Sequence, residues 1–240
     1  MLTSTQLFLI QNKFQTTNTN VLREYLQHLF LASLYKTPKA QKILFKGGTA
    51  YRIAYKSPRF SEDLDFSSSE ISTNEIEKTI FHIMEDFSNN GLSCDISVAK
   101  KTTGGYLAKL LTSFGNEKVP ISVQISQREK VSNGYDIFEV VNEYIPTYQA
   151  LLLPTSEMMG EKIQAALTRS KPRDFYDIYF LLRNGLLDYT LKSQLSKVKD
   201  MLHKKKIRFS DELSHFLPKS MKLVADNFPK ALLIEIEKYL

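Results

Sequence analysis

Lys46-Gly-Gly-Thr-Ala-Tyr-Arg-Ile-Ala-Tyr-Lys-Ser-Pro-Arg-Phe-Ser-Glu-Asp-Leu-Asp-Phe66 is the stretch whose reading fixes the rest of the chain. Lys42 to Lys46 is a short apolar strand, Gly47-Gly48 breaks it, and the residues from Thr49 begin a short helix closed by Pro58. Glu62 to Phe66 then alternates, with Leu64 and Phe66 on one face of a strand and Asp63 and Asp65 on the other. Glycines at a strand-to-helix turn let the backbone come close to phosphates, and free N–H groups at a helix N-terminus attract anions. Gly47, Gly48 and Thr49 are therefore expected to form a phosphate cradle. Arg52, one turn along the same helix, and Arg59, in the following loop, are expected to reach the phosphate tail. Asp63 and Asp65 supply two hard oxygen ligands on one side of a strand, suited to Mg2+ whose remaining positions go to triphosphate oxygens and water. An isolated Gly-Gly turn or Asp-x-Asp strand would as readily be plain structure; the weight lies in the combination.

Working outward, Asn18 to Tyr35 places Val21, Leu22, Tyr25, Leu26, Leu29, Phe30 and Leu34 at three- and four-residue spacing, an amphipathic helix that Thr37-Pro38 ends. Ser72-Thr-Asn-Glu75 reads as a capped start for a helix to about Asn89, with Ile76, Ile80, Ile83, Met84 and Phe87 as its apolar stripe. Alternating strands follow near Leu92 to Val98, Tyr106 to Phe114 and Val119 to Ser126, separated by Gly104-Gly105 and Gly115-Asn116 turns. From Pro154 onward the pattern turns helical. This change sets the expected organisation: residues 1–150 as one lobe and 151–240 as a mainly helical lobe, in an α+β fold with a small mixed sheet.

A second block lies in the helical part: Glu161-Lys162-Ile-Gln-Ala-Ala-Leu-Thr-Arg169-Ser-Lys-Pro-Arg173-Asp174-Phe-Tyr-Asp177-Ile-Tyr-Phe-Leu-Leu182. Ser170 is placed to cap a helix with Pro172 in its first turn. Asp174 and Asp177 share a face, and Arg173 is spaced to pair with Asp177. Taken alone, this block reads as a salt-bridged structural helix.

The Gly-Gly-Thr turn, the short helix and the Asp-x-Asp strand together resemble the signature of DNA polymerase beta-like nucleotidyltransferases. The finer string, Gly-Gly-Thr-Ala followed by Arg-Phe-Ser-Glu-Asp-Leu-Asp-Phe, resembles the AbiEii/AbiGii toxin family within that superfamily. The second block is similar to that family's second motif, a lysine on one helix ahead of an Arg-Asp-x-x-Asp helix. The resemblance spans about Lys46 to Leu182. It implies a magnesium-dependent nucleotidyltransferase, the toxin of a type IV toxin–antitoxin or abortive-infection system. Lys162 would then contact nucleotide phosphate, Asp177 would complete a catalytic set with Asp63, Asp65 and Lys162 in a cleft, and Asp174 would be a second candidate there. The implied partners are a nucleoside triphosphate, an RNA acceptor such as the tRNA 3′ end, and a cognate antitoxin. One departure stands out. Ser122, Gln124 and Ser126 occupy the polar face of a strand where such enzymes often carry a third metal-binding carboxylate, which leaves open whether one metal or two would act. A silent nucleotide- or RNA-binding module and a nucleotidyltransferase that modifies protein are the rival readings.

Composition agrees with a folded domain: 42% hydrophobic and 24% charged residues among 240 exclude disordered and fibrous classes. The formal charge of +6 favours an anionic partner. The densest basic run is Lys197 to Arg208, read equally as a solvated helix face or a nucleic-acid contact. With no basic segment ahead of an apolar run and no stretch long enough to span a bilayer, a cytoplasmic location is expected. Cys94 reads as core filler alternating with Leu92, Ile96 and Val98. His28, His82, His203 and His215 lack metal-ligand spacing and receive no catalytic role.

Overall fold

A computed structural model describes residues 2–68, 71–127 and 134–240. The helices are α1 (Ser4–Phe14), α2 (Asn18–Leu34), α3 (Gly47–Ile53), α4 (Thr73–Asn89), α5 (Thr155–Arg169), α6 (Pro172–Arg183), α7 (Lys192–Lys204), α8 (Phe209–Phe216), α9 (Lys222–Asp226) and α10 (Phe228–Glu237). The strands are β1 (Ile43–Lys46), β2 (Asp63–Ser68), β3 (Ser93–Thr102), β4 (Gly105–Phe114), β5 (Glu117–Ser126), β6 (Asp136–Val140) and β7 (Tyr148–Leu152). The chain divides into two compact units, one formed by Met1–Lys56 with Phe60–Leu153 and the other by Ser57–Arg59 with Pro154–Leu240.

The first unit is built on one mixed sheet of order β3-β4-β5-β2-β1-β7-β6. β2 runs parallel to β5 and antiparallel to β1, which makes it an interior strand. An interior strand must bury at least one face, and the alternation of β2 supplies it: Leu64 is 0% and Phe66 1% exposed. Val123 of β5 and Ala108 and Leu110 of β4 continue that buried face. α4 starts with the expected cap: the Glu75 backbone N–H donates to the Ser72 hydroxyl at 3.2 Å, and the Ser72 N–H donates to the Glu75 carboxylate at 3.0 Å. Its buried residues are Ile76, Thr79, Ile80, Ile83 and Phe87, while Met84 is only half-buried.

The sheet is wider than the sequence pattern suggests, because β6 and β7 extend it beyond β1. β7 is tied in by side chains from α2 and the residue after it. The Tyr35 hydroxyl donates to the carbonyls of Ile43 and Leu151 at 3.1 and 2.9 Å. His28 Nδ1 lies 2.8 Å from the Tyr148 hydroxyl, and burial, helped by the charges of Lys56 and Arg52, depresses the His28 pKa to about 3. This imidazole is a neutral structural group. Cys94 is half-buried on the edge strand β3, and burial pushes its thiol up, so it is an unreactive packing residue.

The second unit packs α5 to α10 around Phe175, Tyr176, Phe209 and Phe228, whose rings meet at 5.0 to 5.7 Å between centroids. α6 begins at Pro172 as expected, but Ser170 does not cap it. Ser170 is instead the left-handed C-cap of α5 at φ 51°, and the residue ahead of Pro172 is Lys171. The turn between the two helices is too short to spare it. The basic run falls at the end of α7, where Lys204, Lys205 and Lys206 are exposed and Lys205 donates to the Ser170 hydroxyl at 3.0 Å. No helix among the described residues is long and apolar enough to cross a membrane.

Candidate active site

In the first unit the β1–α3 turn and β2 are fitted to one another. Gly47 has φ +82°, and a Cβ placed on it would lie 2.5 Å from Oδ2 and 2.9 Å from Cβ of Asp65. Glycine is required twice over here, for the left-handed backbone and for the approach of the carboxylate. The Thr49 hydroxyl is fully buried and donates a short hydrogen bond to the backbone carbonyl of Asp63. Thr49 therefore pins β2, leaving only its backbone amide for a phosphate. From the other side Gln27 donates to the carbonyls of Ser61 and Glu62 at 3.1 and 3.2 Å, fixing the segment that enters the strand. Asp63 and Asp65 stand half-exposed on the face opposite Leu64 and Phe66, held by backbone and side-chain contacts at both ends.

Gly47→Ala places a methyl group against Asp65 in a backbone conformation that costs a non-glycine residue about 1–3 kcal/mol. The expected outcome is a folded but less stable protein whose transfer activity falls further than the loss of folded protein explains. Denaturant unfolding, with initial rates normalised to the folded fraction, checks it.

Register defines the neighbours of the two acids. Asp63 lies opposite Ser122 and Asp65 opposite Gln124 on β5. Gln124 thus occupies the place beside Asp65 at which a third carboxylate would stand. Among the described residues, no group of three or more His, Cys, Asp or Glu is arranged to hold a metal ion.

Arg52 does not project toward a phosphate tail. Its Nε and Nη2 donate to the two carboxylate oxygens of Glu24 at 3.0 and 3.1 Å, and its guanidinium lies 3.9 Å from the centroid of the Phe60 ring. The planar fork is taken up by a carboxylate and an aromatic face, which locks α3 to α2.

The second unit holds a buried charge cluster. Arg59 is 2% exposed, and its Nε and Nη2 donate to Oδ1 and Oδ2 of Asp177 at 2.8 and 2.9 Å. Lys162 on α5 lies 2.9 Å from Asp177 Oδ2 and 3.4 Å from Asp174 Oδ1. Arg169 closes the far end, donating to both oxygens of Asp174 at 2.7 Å each. Asp174 and Asp177 are 0% and 1% exposed. Burial pushes the Asp177 carboxyl up, and the charges of Arg59 and Lys162 more than reverse that, holding it below the ordinary carboxylate range. The Arg59 guanidinium would be lowered by burial and is raised overall by Asp177.

Arg59, expected to approach phosphate from its loop, is thus spent on Asp177. Asp177 in turn does not pair with Arg173, which reaches Glu212 at 3.1 Å instead. The i,i+4 spacing puts Arg173 and Asp177 on one side of α6, but Asp177 points into the interior, whereas the Arg173 side chain stays partly exposed. Arg169 joins the cluster without a strong signal in the sequence. Its only signal was an arginine in the last turn of the helix preceding Asp174.

The family model described as "Nucleotidyl transferase AbiEii toxin, Type IV TA system" matches residues 29–232, which includes both the Asp-x-Asp strand and the Lys162 helix. The chain belongs to the AbiEii nucleotidyltransferase toxin family. This AbiEii-family chain is accordingly a nucleotidyltransferase of a type IV toxin–antitoxin family. Its fold is similar to that of JHP933 from Helicobacter pylori, at 21% identity over 93% of each chain with a TM-score of 0.67. It is also similar to MenT4, a nucleotidyltransferase toxin from Mycobacterium tuberculosis, at 15% identity over 92% of this chain and 87% of that one, with a TM-score of 0.62. These likenesses are of fold. No curated protein matches the AbiEii-family chain in sequence.

Proposed function

We propose that this AbiEii-family toxin is a magnesium-dependent enzyme that moves a nucleotide from a nucleoside triphosphate to the 3′ end of an RNA, with tRNA as the acceptor. The observation that carries the reading is the pairing of Asp63 and Asp65 on one face of an interior strand, with Gly47 pressed against Asp65. Two carboxylates on one strand face, with Lys46 opposite Asp65 in the ladder, carry more negative than positive charge, which suits a bound divalent ion. The donor set of two hard oxygens fits magnesium, whose other positions would go to triphosphate oxygens and water. When bound, the ion supplies charge stabilisation on the transferred group. Gly48 and the amide of Thr49 receive phosphate at the turn, while the Thr49 hydroxyl and Gln27 keep the acids in place. A cytoplasmic location and neutralisation by a cognate antitoxin belong to the same reading.

Lys162 is assigned to the nucleotide phosphates. Among Arg59, Lys162, Arg169, Asp174 and Asp177, three cations face two carboxylates, which leaves one net positive charge. Each carboxylate is already satisfied by its own arginine, so Lys162 is oriented by both acids without being cancelled by them. Asp177, Asp174, Arg59 and Arg169 are on this account positioning residues. Lys162→Ala is expected to weaken triphosphate binding by about tenfold or more, a loss typical of one charge-assisted contact. Lys205→Ala, in the exposed run, is expected to leave it unchanged. Calorimetric titration with a non-hydrolysable triphosphate checks both, and unaltered affinity in Lys162→Ala removes the assignment.

A further inference from the structure

The ladder registers carry the open face of the sheet outward from the two acids in parallel rows. One row runs Asp63 on β2, Ser122 on β5, Lys109 on β4 and Val98 on β3. The next runs Asp65, Gln124, Leu107 and Lys100. All eight side chains share the face opposite the buried Leu64, Val123 and Ala108. Lys109, Gln124 and Lys100 are exposed, and Ser122, Leu107 and Val98 are half-exposed, so this face is open to solvent. Among the described residues, neither lysine ammonium takes part in an ion pair or hydrogen bond; the Ser97 hydroxyl donates to the Lys109 backbone carbonyl at 3.0 Å. Asp95, opposite Leu111 in the row on the far side of Lys109, bounds the positive region.

We infer that this face, from Ser122 and Gln124 to Lys109 and Lys100, is the track that holds the 3′-terminal nucleotides of a single-stranded RNA acceptor. The inference rests on the RNA-acceptor reading above and adds where on the chain that RNA lies.

Strands sit about 4.8 Å apart, so Lys109 lies about 10 Å and Lys100 about 14 Å across the sheet from the carboxylates. A stacked strand advances roughly 3.4 Å per nucleotide, so the two ammonium groups meet phosphates about three to four nucleotides from a 3′ hydroxyl placed at Asp63 and Asp65. Between them Ser122 and Gln124 offer donors and acceptors to sugar and base edges. Leu107 and Val98 offer apolar contact to base faces. Lys46 stands opposite Asp65 on the β1 side, and along these two rows toward β3 the positive charge lies on β4 and β3, on the path of a polyanion that ends at the carboxylates. A free mononucleotide is too short to reach both lysines and the carboxylates together. The track therefore selects a chain with a 3′ end over a small acceptor.

The test is single-stranded RNA binding against salt, by fluorescence anisotropy, with label transfer from a nucleoside triphosphate measured on the same samples. The proteins are wild type, the Lys100→Gln/Lys109→Gln double variant and the Lys204→Gln/Lys205→Gln/Lys206→Gln triple variant. Loss of two single-strand phosphate contacts is expected to flatten the slope of log K against log salt by about 1.4 and to weaken binding by about tenfold near physiological salt. The triple variant is expected to keep the wild-type slope, and triphosphate affinity stays unchanged in all three. In transfer, the double variant is expected to raise the KM for RNA while kcat holds.

An unchanged slope in the double variant overturns the track, as does a loss confined to the triple variant. If wild type labels RNA while the double variant has normal KM, the track fails and the RNA-acceptor reading stands. If wild type labels only protein and its RNA binding is indifferent to Lys100 and Lys109, both fail. Circular dichroism and triphosphate binding confirm that the variants are folded.

Discussion

Asp63→Asn and Asp65→Asn are each expected to abolish nucleotide transfer, lowering the rate by about a thousandfold or more, while the protein stays folded and close to wild type in stability. The magnitude follows from the proposed role: each change would remove a full charge from a group assigned to stabilise the transferring phosphoryl group, and such electrostatic contributions are among the largest in catalysis. The stability follows from the geometry. Both side chains are half-exposed on the face away from Leu64 and Phe66, and asparagine matches aspartate closely in volume. The strand itself is held by the Thr49 hydroxyl on the Asp63 carbonyl and by ladders on both sides, none of which involves the carboxylates. In cells, both variants are expected to relieve toxicity. Transfer assays with a labelled triphosphate and parallel urea unfolding give the two readouts. An Asp65→Asn enzyme with near-normal rate would show that the pair is merely a polar strand face.

Asp177→Ala is expected to have the opposite profile, a large loss of stability in the helical unit. Removing one partner from a buried pair leaves the other charged and unsatisfied, at a cost of about 3–5 kcal/mol. Here Asp177 is 1% exposed and Arg59 2%, so water does not replace the lost carboxylate. Arg59→Ala is expected to cost a similar amount, because it removes both hydrogen bonds to Asp177. Replacing both residues together with Leu at 177 and Met at 59 is expected to recover much of the loss, since well-packed apolar side chains of similar volume often substitute for a buried pair. Triphosphate affinity separates positioning from packing. In the double replacement Lys162 keeps only Asp174 as an anchor, so stability returns and affinity does not. Amide hydrogen exchange on α6 reads local stability without assuming that the two units unfold together.

The parts of the structure that were legible in the sequence are those in which the signal is local. β2 announces itself through Asp63-Leu64-Asp65-Phe66, because the side-chain period of a strand is two and the buried pair sorts itself from the acidic pair. α6 starts at Pro172 because a proline fits the first helical turn and little else within a helix. What was not legible depended on partners distant in the chain. Arg52 and Arg59 look alike in sequence, two arginines near a phosphate-type turn. Their fates are set by Glu24, 28 residues away, and Asp177, 118 residues away. β6 and β7 are five-residue strands without strict alternation, and β7 is recruited through Tyr35 and Tyr148 more than through its own pattern. α1 has no clear helical period in the sequence, because Phe8 and Leu9 face outward. Ser170 could be read as a cap for the helix after it or the end of the helix before it. The short turn decided for the second.

The measurement that bears most directly on the account is incubation of the purified protein with each labelled nucleoside triphosphate, Mg2+ and total RNA, followed by location of the label. The account predicts label at RNA 3′ ends, concentrated in tRNA, dependent on the divalent ion and absent with Asp63→Asn. Label on protein instead of RNA, or equal labelling by Asp63→Asn, would contradict it.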